Sequence, residues 1–372
     1  MNRKPQTANR KTIVVVTGTR AEFGLLEPVM KAIARSKGLR LRVVVAGWHW
    51  VTGTWRDVRD AGWEMEGKVR MQKVLTRERP PEGRWDDVDA LGRGIIGFGR
   101  VFDELKPEVV MVLGDRIEAF AAAAAGSVGG IHVAHIHGGD RAEGVADEAM
   151  RHAISKLAHL HFVATMLSRE RLVRMGEAAE VVWNVGSPAV DGLEGVEASP
   201  VERVIVMQHP IGESDEVERR WMGETLEAVR HLEPVVMGPN GDAGCAGIWR
   251  AIKEAPPEME VIEHLPRARW LSMLAGATAL VGNSSAGLIE GAVLRVPCVN
   301  VGPRQNGREK PVNVVDCDYG AANVREALVK ALSLDLRRMR HPYGDGHAGE
   351  RIAAILAEMD WGKVSVRKRN TY

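Results

Sequence analysis

Residues 108–152 read EVVMVLGDRIEAFAAAAAGSVGGIHVAHIHGGDRAEGVADEAMRH. The apolar run EVVMVLG ends at Gly114, an alanine-rich stretch over 116–127 has helical spacing, and IHVAHI over 131–136 is a second apolar run. Two short runs joined by a helix make a βαβ unit, in which both strands lie in a parallel sheet covered on both faces. In such a sheet chemistry gathers beyond the carboxyl ends of the strands. Asp115 follows the first run, and His135, His137, Asp140, Asp147, Glu148 and His152 belong to or follow the second. Two neighbouring strand ends therefore aim several proton-transfer groups at one crevice.

The same alternation continues in both directions. TIVVVTG, LRVVVAG and LHFVAT are further buried strands of the first half, and 22–35, 87–105 and 147–159 carry helical spacing, as in Met150, Ala153, Ile154 and Leu157. Periodicity stops in LEGVEASPVE (193–202), and RVIVMQH, EPVVMG, MEVIEH, TALVGN and PCVNVG then repeat the pattern. The expected fold class is α/β: two Rossmann-like domains facing a central cleft. The expected organisation is a loose tail over 1–11, a first domain over 12–192, a linker over 193–202 and a second domain over 203–345. Residues 346–372 are a final helix, 349–359, placed to pack back across the junction, and a tail.

At 372 residues the chain exceeds the size at which one core stops growing, which agrees with two domains. Fifty Lys+Arg against 49 Asp+Glu give a formal net charge of +1, and neither sign dominates a long segment. Generic binding to nucleic acid or a membrane surface is not expected. Cys245, Cys298 and Cys317 are odd in number and lack metal-type spacing, so no disulfide framework or metal site is expected and a reducing cytoplasm fits. The opening MNRKPQTANRK lacks the apolar core of a secretory signal. No apolar stretch approaches the length of a membrane span, and AFAAAAAGSVGG is broken by glycines.

Four more strand ends carry candidate groups, each with a plainer reading beside it. Gly18-Thr19-Arg20-Ala21-Glu22 opens the first helix, where backbone N–H groups, the helix dipole and Arg20 suit a phosphate; a tight turn with a solvated arginine explains the same residues. There is no GxGxxG. In VGNSSAGLIE (281–290), Ser284 and Ser285 can cap a helix and donate to a phosphate, and Glu290 is placed to accept from a ribose diol. Capping accounts for one serine and leaves the pair and its glycine unexplained. GPNGDAGCAG (238–247) offers a flexible backbone wall with the single carboxylate Asp242, itself a candidate helix cap. GPRQNGRE (302–309) offers Arg304 and Arg308 in a glycine-containing loop. Asp115 and Glu118 have capping-box spacing, Asp147 stands at a helix start with Arg151 at i+4, and His209 ends the first strand of the second half, where a lone histidine is usually structural.

Taken in order, TGTRAEFGLL (17–26), GWHWVTGT (47–54), LGDRIEA (113–119), AHIHGGD (134–140), DEAMRHAISKLAHLHF (147–162), VGSPAVD (185–191), QHP (208–210), GNSSAGLIE (282–290) and GPRQNGRE (302–309) resemble the hydrolysing UDP-N-acetylglucosamine 2-epimerases of sialic acid synthesis. The resemblance runs over nearly the whole chain. It implies a glycosyltransferase-B-like fold closing on a nucleotide sugar, no cofactor, and a homo-oligomer, dimer or tetramer. It also implies a reaction in which loss of UDP and of the hydrogen on the acetamido-bearing carbon gives a 2-acetamidoglucal. Water then adds with inversion at that carbon, giving N-acetylmannosamine and UDP. Carried onto this chain, Asp115 and Asp147 match the catalytic acids and His209 the cleft histidine. Arg20, Ser284, Ser285, Glu290 and Arg308 match positions that hold the nucleotide, and Gly18, His49, Asn240, Asp242, Gly244, Gly287 and Arg304 are further binding candidates.

One position departs from the family pattern. Where HIEGGE is common, this chain has His135-Ile136-His137-Gly138-Gly139-Asp140, and the stretch from Gly139 to Asp147 is one residue longer. His137 could act as base, its unperturbed pKa lying nearer neutrality than a glutamate's, or Asp140 could take the role. The change also fits a differently substituted sugar, such as a 2,4-diacetamido-6-deoxy hexose, or another nucleotide. Non-hydrolysing epimerases carry a QHRE-type segment where GWHWVTGT stands and a TERPE-type loop where GPRQNGRE stands, so both segments favour hydrolysis. A glycosyltransferase of this architecture would not need the Asp115, His137 and Asp147 cluster. A non-catalytic nucleotide-sugar binding protein is the remaining alternative.

Overall fold

The computed structural model describes residues 10–73, 84–143, 147–199 and 202–372. Residues 1–9 of the expected tail, 144–146 of the acidic loop and 200–201 of the expected linker lie outside the described residues.

Strands β1 (Lys11–Thr17), β2 (Leu39–Ala46), β3 (Met65–Val69), β4 (Val109–Leu113), β5 (His132–Ile136), β6 (Leu160–Val163) and β7 (Val182–Asn184) form one sheet. Its order is β3-β2-β1-β4-β5-β6-β7. Strands β8 (Val204–Met207), β9 (Val235–Met237), β10 (Glu260–Ile262), β11 (Ala279–Gly282), β12 (Cys298–Val301) and β13 (Val314–Cys317) form a second, ordered β10-β9-β8-β11-β12-β13. All neighbouring strands are parallel. The α/β class expected from the alternation is thus the observed one, as two doubly wound sheets.

Burial on both faces explains why these strands read as unbroken apolar runs. In β1, Ile13 and Val15 enter one core with Phe23, Leu26 and Met30 of the helix Arg20–Arg35, while Val14 and Val16 enter another with Phe98 and Phe102 of the helix Arg84–Leu105. The final helix, Ala348–Glu358, leaves the second sheet and lies on Arg20–Arg35, adding Ile352, Ala353 and Leu356 to the first of these cores. Asp191 fixes its start by accepting from the amides of Ala348 and Gly349 at 2.9 and 2.7 Å. Among the described residues, no helix is long and apolar enough to cross a membrane.

Both sheets reverse strand order beside their first strand. The switch points lie between β1 and β4 and between β8 and β11, where open α/β sheets leave a crevice.

Candidate active site

Asp115 follows Gly114, whose φ of 76° lies in the left-handed region that favours glycine. The helix Ile117–Val128 starts with Arg116 as N-cap and has no side-chain cap, so the capping box available to Asp115 and Glu118 is not made. Asp115 instead accepts from Nη2 of Arg151. Glu118 is buried, accepts from the Trp48 amide at 3.3 Å and lies 3.6 Å from Nε of Arg116.

Asp147 stands at the N-cap of Glu148–Leu157, yet its carboxylate caps nothing. Burial raises its pKa, Asp242 and Asp87 add to the rise, and Arg116 and Arg304 oppose it. The expected i,i+4 pair between Asp147 and Arg151 is replaced by a different arrangement. Arg151 donates to Asp115, to Glu148 and, at 3.3 Å, to the Asp140 carbonyl. Burial lowers this guanidinium to about 9, with Arg308 and Arg304 contributing.

His137 has a φ of 65°, in the left-handed region, and its ring is clamped at both nitrogens. Nδ1 lies 3.0 Å from Oδ2 of Asp140 and Nε2 lies 2.9 Å from Oγ of Ser187. Asp140 also accepts from Ser168 at 2.8 Å and sits 3.7 Å from Nη2 of Arg308. Burial would raise Asp140, but His137, Arg308 and Ser168 hold it at about 2. Both residues are buried, and these partners engage both ring nitrogens of His137 and both carboxylate oxygens of Asp140.

On the second sheet, Asn283 grips the backbone of His209 from both sides. Its Oδ1 accepts from the His209 amide at 2.7 Å, and its Nδ2 donates to the His209 carbonyl at 2.8 Å. Nδ1 of His209 accepts from the Asn240 amide at 3.1 Å, which leaves the ring proton on Nε2. Burial, with Arg304 and Arg116 and against Asp242, lowers this histidine to about 3, so the ring is neutral at physiological pH.

Asp242 is not a helix cap, because Gly244 holds that position in Cys245–Glu254. Its Oδ1 lies 3.0 Å from Nη1 of Arg116, a bridge from the second sheet's strand ends to the first's, and its Oδ2 accepts from the Asn240 side chain. Burial works to raise Asp242, and Arg116 and Arg304 more than offset it. Burial likewise works to lower Arg116, which Asp242, Glu118, Glu22 and Asp147 instead raise. Arg304 donates to the Asn283 carbonyl at 3.4 Å, while Arg308 donates to the Arg141 carbonyl at 3.3 Å. The buried Nε atoms of Arg116 and Arg304 lack hydrogen-bond acceptors, an arrangement that an anion would relieve.

Ser284 caps the short helix Ser285–Leu288 through the Ala286 amide at 3.3 Å, and Ser285 opens that helix. Glu290 is buried beside Arg267 at 3.2 Å.

Other candidates are placed differently from expectation. The amides of Gly18 and Thr19 are already taken by Oε2 of Glu22, at 2.8 and 3.0 Å, in a capping box with Thr19, so they are not free for an anion. Arg20 pairs with Asp57 at 3.1 Å, and its buried Nη1 has no partner. His49 is fully buried between Thr17 at 3.0 Å and Thr54 at 2.9 Å, and burial lowers it to about 4. Gly287 answers to packing, since a Cβ there would lie 2.3 Å from Sγ of Cys298; at Gly244, with φ of 94°, a Cβ would lie 2.8 Å from Glu218. Among the described residues, no group of three or more His, Cys, Asp or Glu is arranged to hold a metal ion.

Arg116 and Asn283 are not singled out by the sequence motifs, and Arg151 enters them only as an i+4 partner of Asp147. Arg116 had a signal in its place directly after Asp115, and Asn283 in its place before the paired serines; the reach of Arg151 across two strand ends had none.

Two doubly wound parallel sheets with facing switch points across an arginine-lined cleft define a glycosyltransferase-B-like fold. A family model described as UDP-N-acetylglucosamine 2-epimerase matches residues 31–357, and the chain belongs to that family. It is 33% identical to a UDP-N,N'-diacetylbacillosamine 2-epimerase (hydrolyzing) of Legionella pneumophila, covering 97% of this chain and 100% of the relative. It is 30% identical to a UDP-N-acetylglucosamine 2-epimerase of Neisseria meningitidis serogroup B, covering 96% and 98%. The fold matches the crystal structure of a UDP-GlcNAc 2-epimerase from Neisseria meningitidis bound to UDP-GlcNAc with a TM-score of 0.78 at 17% identity, covering 94% of this chain and 100% of that one.

Proposed function

We propose that the chain is a hydrolysing nucleotide-sugar 2-epimerase, converting a UDP-2-acetamido sugar and water to the free 2-epimeric sugar and UDP. The observation that carries this reading is that Asp147 and His209 both lie within electrostatic reach of Arg116, Arg304 and Asp242 at the facing switch points, with Asp115 joined to Arg151 of the helix that Asp147 opens. A base removes the proton on C2, the freed electron pair forms the C1–C2 double bond, and the C1–O bond breaks as UDP departs with its bonding pair. Protonation of C2 from the opposite face and addition of water at C1 complete the reaction.

In this reading Asp147 transfers the proton, because its raised pKa brings it nearer the operating pH than an exposed carboxylate. Asp115, oriented by Arg151, is the second carboxylate at the ring. The neutral His209 donates from Nε2 to the departing diphosphate, and Arg304, Arg308 and Arg116 stabilise its charge. Ser284, Ser285 and Glu290 hold the nucleoside side. Cytoplasmic residence and a homo-oligomer belong to the same proposal.

UDP-N-acetylglucosamine is the first substrate of this reading. A UDP-2,4-diacetamido-6-deoxy hexose is the second, favoured by the Legionella relative and by the buried His137 where a glutamate is common. Phosphorus and proton NMR of the protein with each sugar tests the reading. Free UDP with free 2-epimeric sugar from either substrate supports it and chooses between them. A 2-epimer still attached to UDP points to a non-hydrolysing enzyme, and binding without change to a non-catalytic one.

A further inference from the structure

We propose that the segment beyond the last helix, residues 359–372, is a strap that positions the active-site helix Glu148–Leu157, and that Lys368 is its positioning residue. The proposal takes its kinetic readout from the epimerase reading, while its structural readout stands apart from it.

The helix carries Asp147 and Arg151 at one end and is gripped by the strap at the other. Lys368 donates to the carbonyls of Ser155, at 2.7 Å, and Ala158, and pairs with Glu177 at 2.5 Å. A cation on the last carbonyls of a helix satisfies orphan acceptors and the negative end of the dipole together. Glu177 is 2% exposed and gathers Lys156 at 2.7 Å and His161 at 3.0 Å as well. Asn370 accepts from Lys156 at 2.8 Å, the Thr371 amide donates to the Gly176 carbonyl at 3.1 Å, and the Val364 and Val366 carbonyls lie 2.8 and 3.1 Å from Nε2 of His132 and His159. The strap is therefore held at several points along the first sheet, and Lys368 is where it meets the helix.

Two routes lead from that contact to Asp115. Oγ of Ser155 lies 3.1 Å from Nδ1 of His135, whose Nε2 lies 2.7 Å from the carbonyl of Gly114, the residue before Asp115. One turn back along the helix, Arg151 donates to Asp115 itself. A shift of the helix along its axis would move Asp147, Arg151 and the Gly114 turn together, and displacements of that kind are costly to catalysis.

The 372-residue chain carrying Lys368→Met tests this, with Lys368→Arg and, as control, Lys363→Met, whose exposed side chain pairs with nearby Asp360. The expected result is a fall in kcat of about tenfold with KM changed less than about twofold. Hydrogen exchange should rise in 148–158 and 114–118, the arginine variant should recover most of kcat, and the control should change neither. Should Lys368→Met not accumulate as folded protein, Lys368→Gln carries the same readouts. Unchanged exchange in both segments overturns the proposal, as does a kcat loss fully matched by loss of folded protein. If the unaltered protein turns over no sugar, the epimerase reading fails and the exchange data alone decide the strap.

Discussion

Arg151 and Asp115 are joined across two strand ends, the buried guanidinium donating from Nη2 to the carboxylate while its Nη1 holds Glu148 and the Asp140 carbonyl. One arginine thereby sets the spacing between the β4 and β5 turns. Replacing Asp115 by Asn keeps the shape and a hydrogen-bonding oxygen but removes the charge. Asp115→Asn is expected to bind UDP as tightly as the parent by calorimetry and to lose at least about 100-fold in kcat. An unchanged rate would leave Asp115 with a structural role only.

The bridge between Arg116 and Asp242 spans the cleft. Asp242→Ala removes it and the partner of the Asn240 side chain. The expected outcome is a larger radius of gyration in solution scattering without ligand and a KM raised by about tenfold, because substrate binding must then also draw the halves together. Equal scattering curves and equal KM would show that the bridge does not govern closure.

His137→Glu restores the residue common in the family pattern and is expected to harm this protein. The new carboxylate would stand where His137 contacts Asp140 at 3.0 Å, at a left-handed backbone position, with the Ser187 hydroxyl as its remaining partner. Removing one member of a buried pair typically costs about 3–5 kcal/mol, and denaturant unfolding should register a loss of that order. Stability equal to the parent would mean that the pair carries no net weight.

Acid should weaken the fold through its buried histidines. His49, His135 and His209 have folded values of about 4, 3 and 3 against an ordinary 6.5, each lowered first by burial. Between those values the unfolded chain binds more protons than the folded one. The contribution of these histidines is therefore complete above about pH 6.5 and declines as pH falls toward the folded values, by about 1.4 kcal/mol per pH unit for each, offset in part by Glu22, which burial and Glu118 raise to about 7. Asp140 and Glu177, held at about 2, keep their contribution until lower pH. Unfolding free energies from about pH 8 to about pH 4.5 check this; a level curve down to the carboxylate range would contradict it.

The buried strands were legible because both faces of each sheet are covered, so β1, β4, β8 and β11 are continuous apolar runs. The edge strands β3 and β13 were not: they read MEGKV and VVDC, with charged side chains among few apolar ones, and their place is set by pairing with the parallel strand before them. At the site, strand-end positions found Asp115, Asp147, His209 and Asp242 from local pattern. Partners were hidden, because local spacing offered caps at Asp115 and Asp147, and only tertiary packing turns Arg151 and Arg116 to carboxylates on other elements. His49 and Gly287 show the converse, motif residues whose demands are met by neighbours in the core.

The most direct measurement is turnover of UDP-N-acetylglucosamine, and of a UDP-2,4-diacetamido-6-deoxy hexose, in deuterated water. Free UDP and a free 2-epimeric sugar carrying one deuterium at C2 are expected from at least one of them. Product with hydrogen retained at C2 would contradict removal of that proton, and nucleotide binding with no product from either sugar would contradict the epimerase itself.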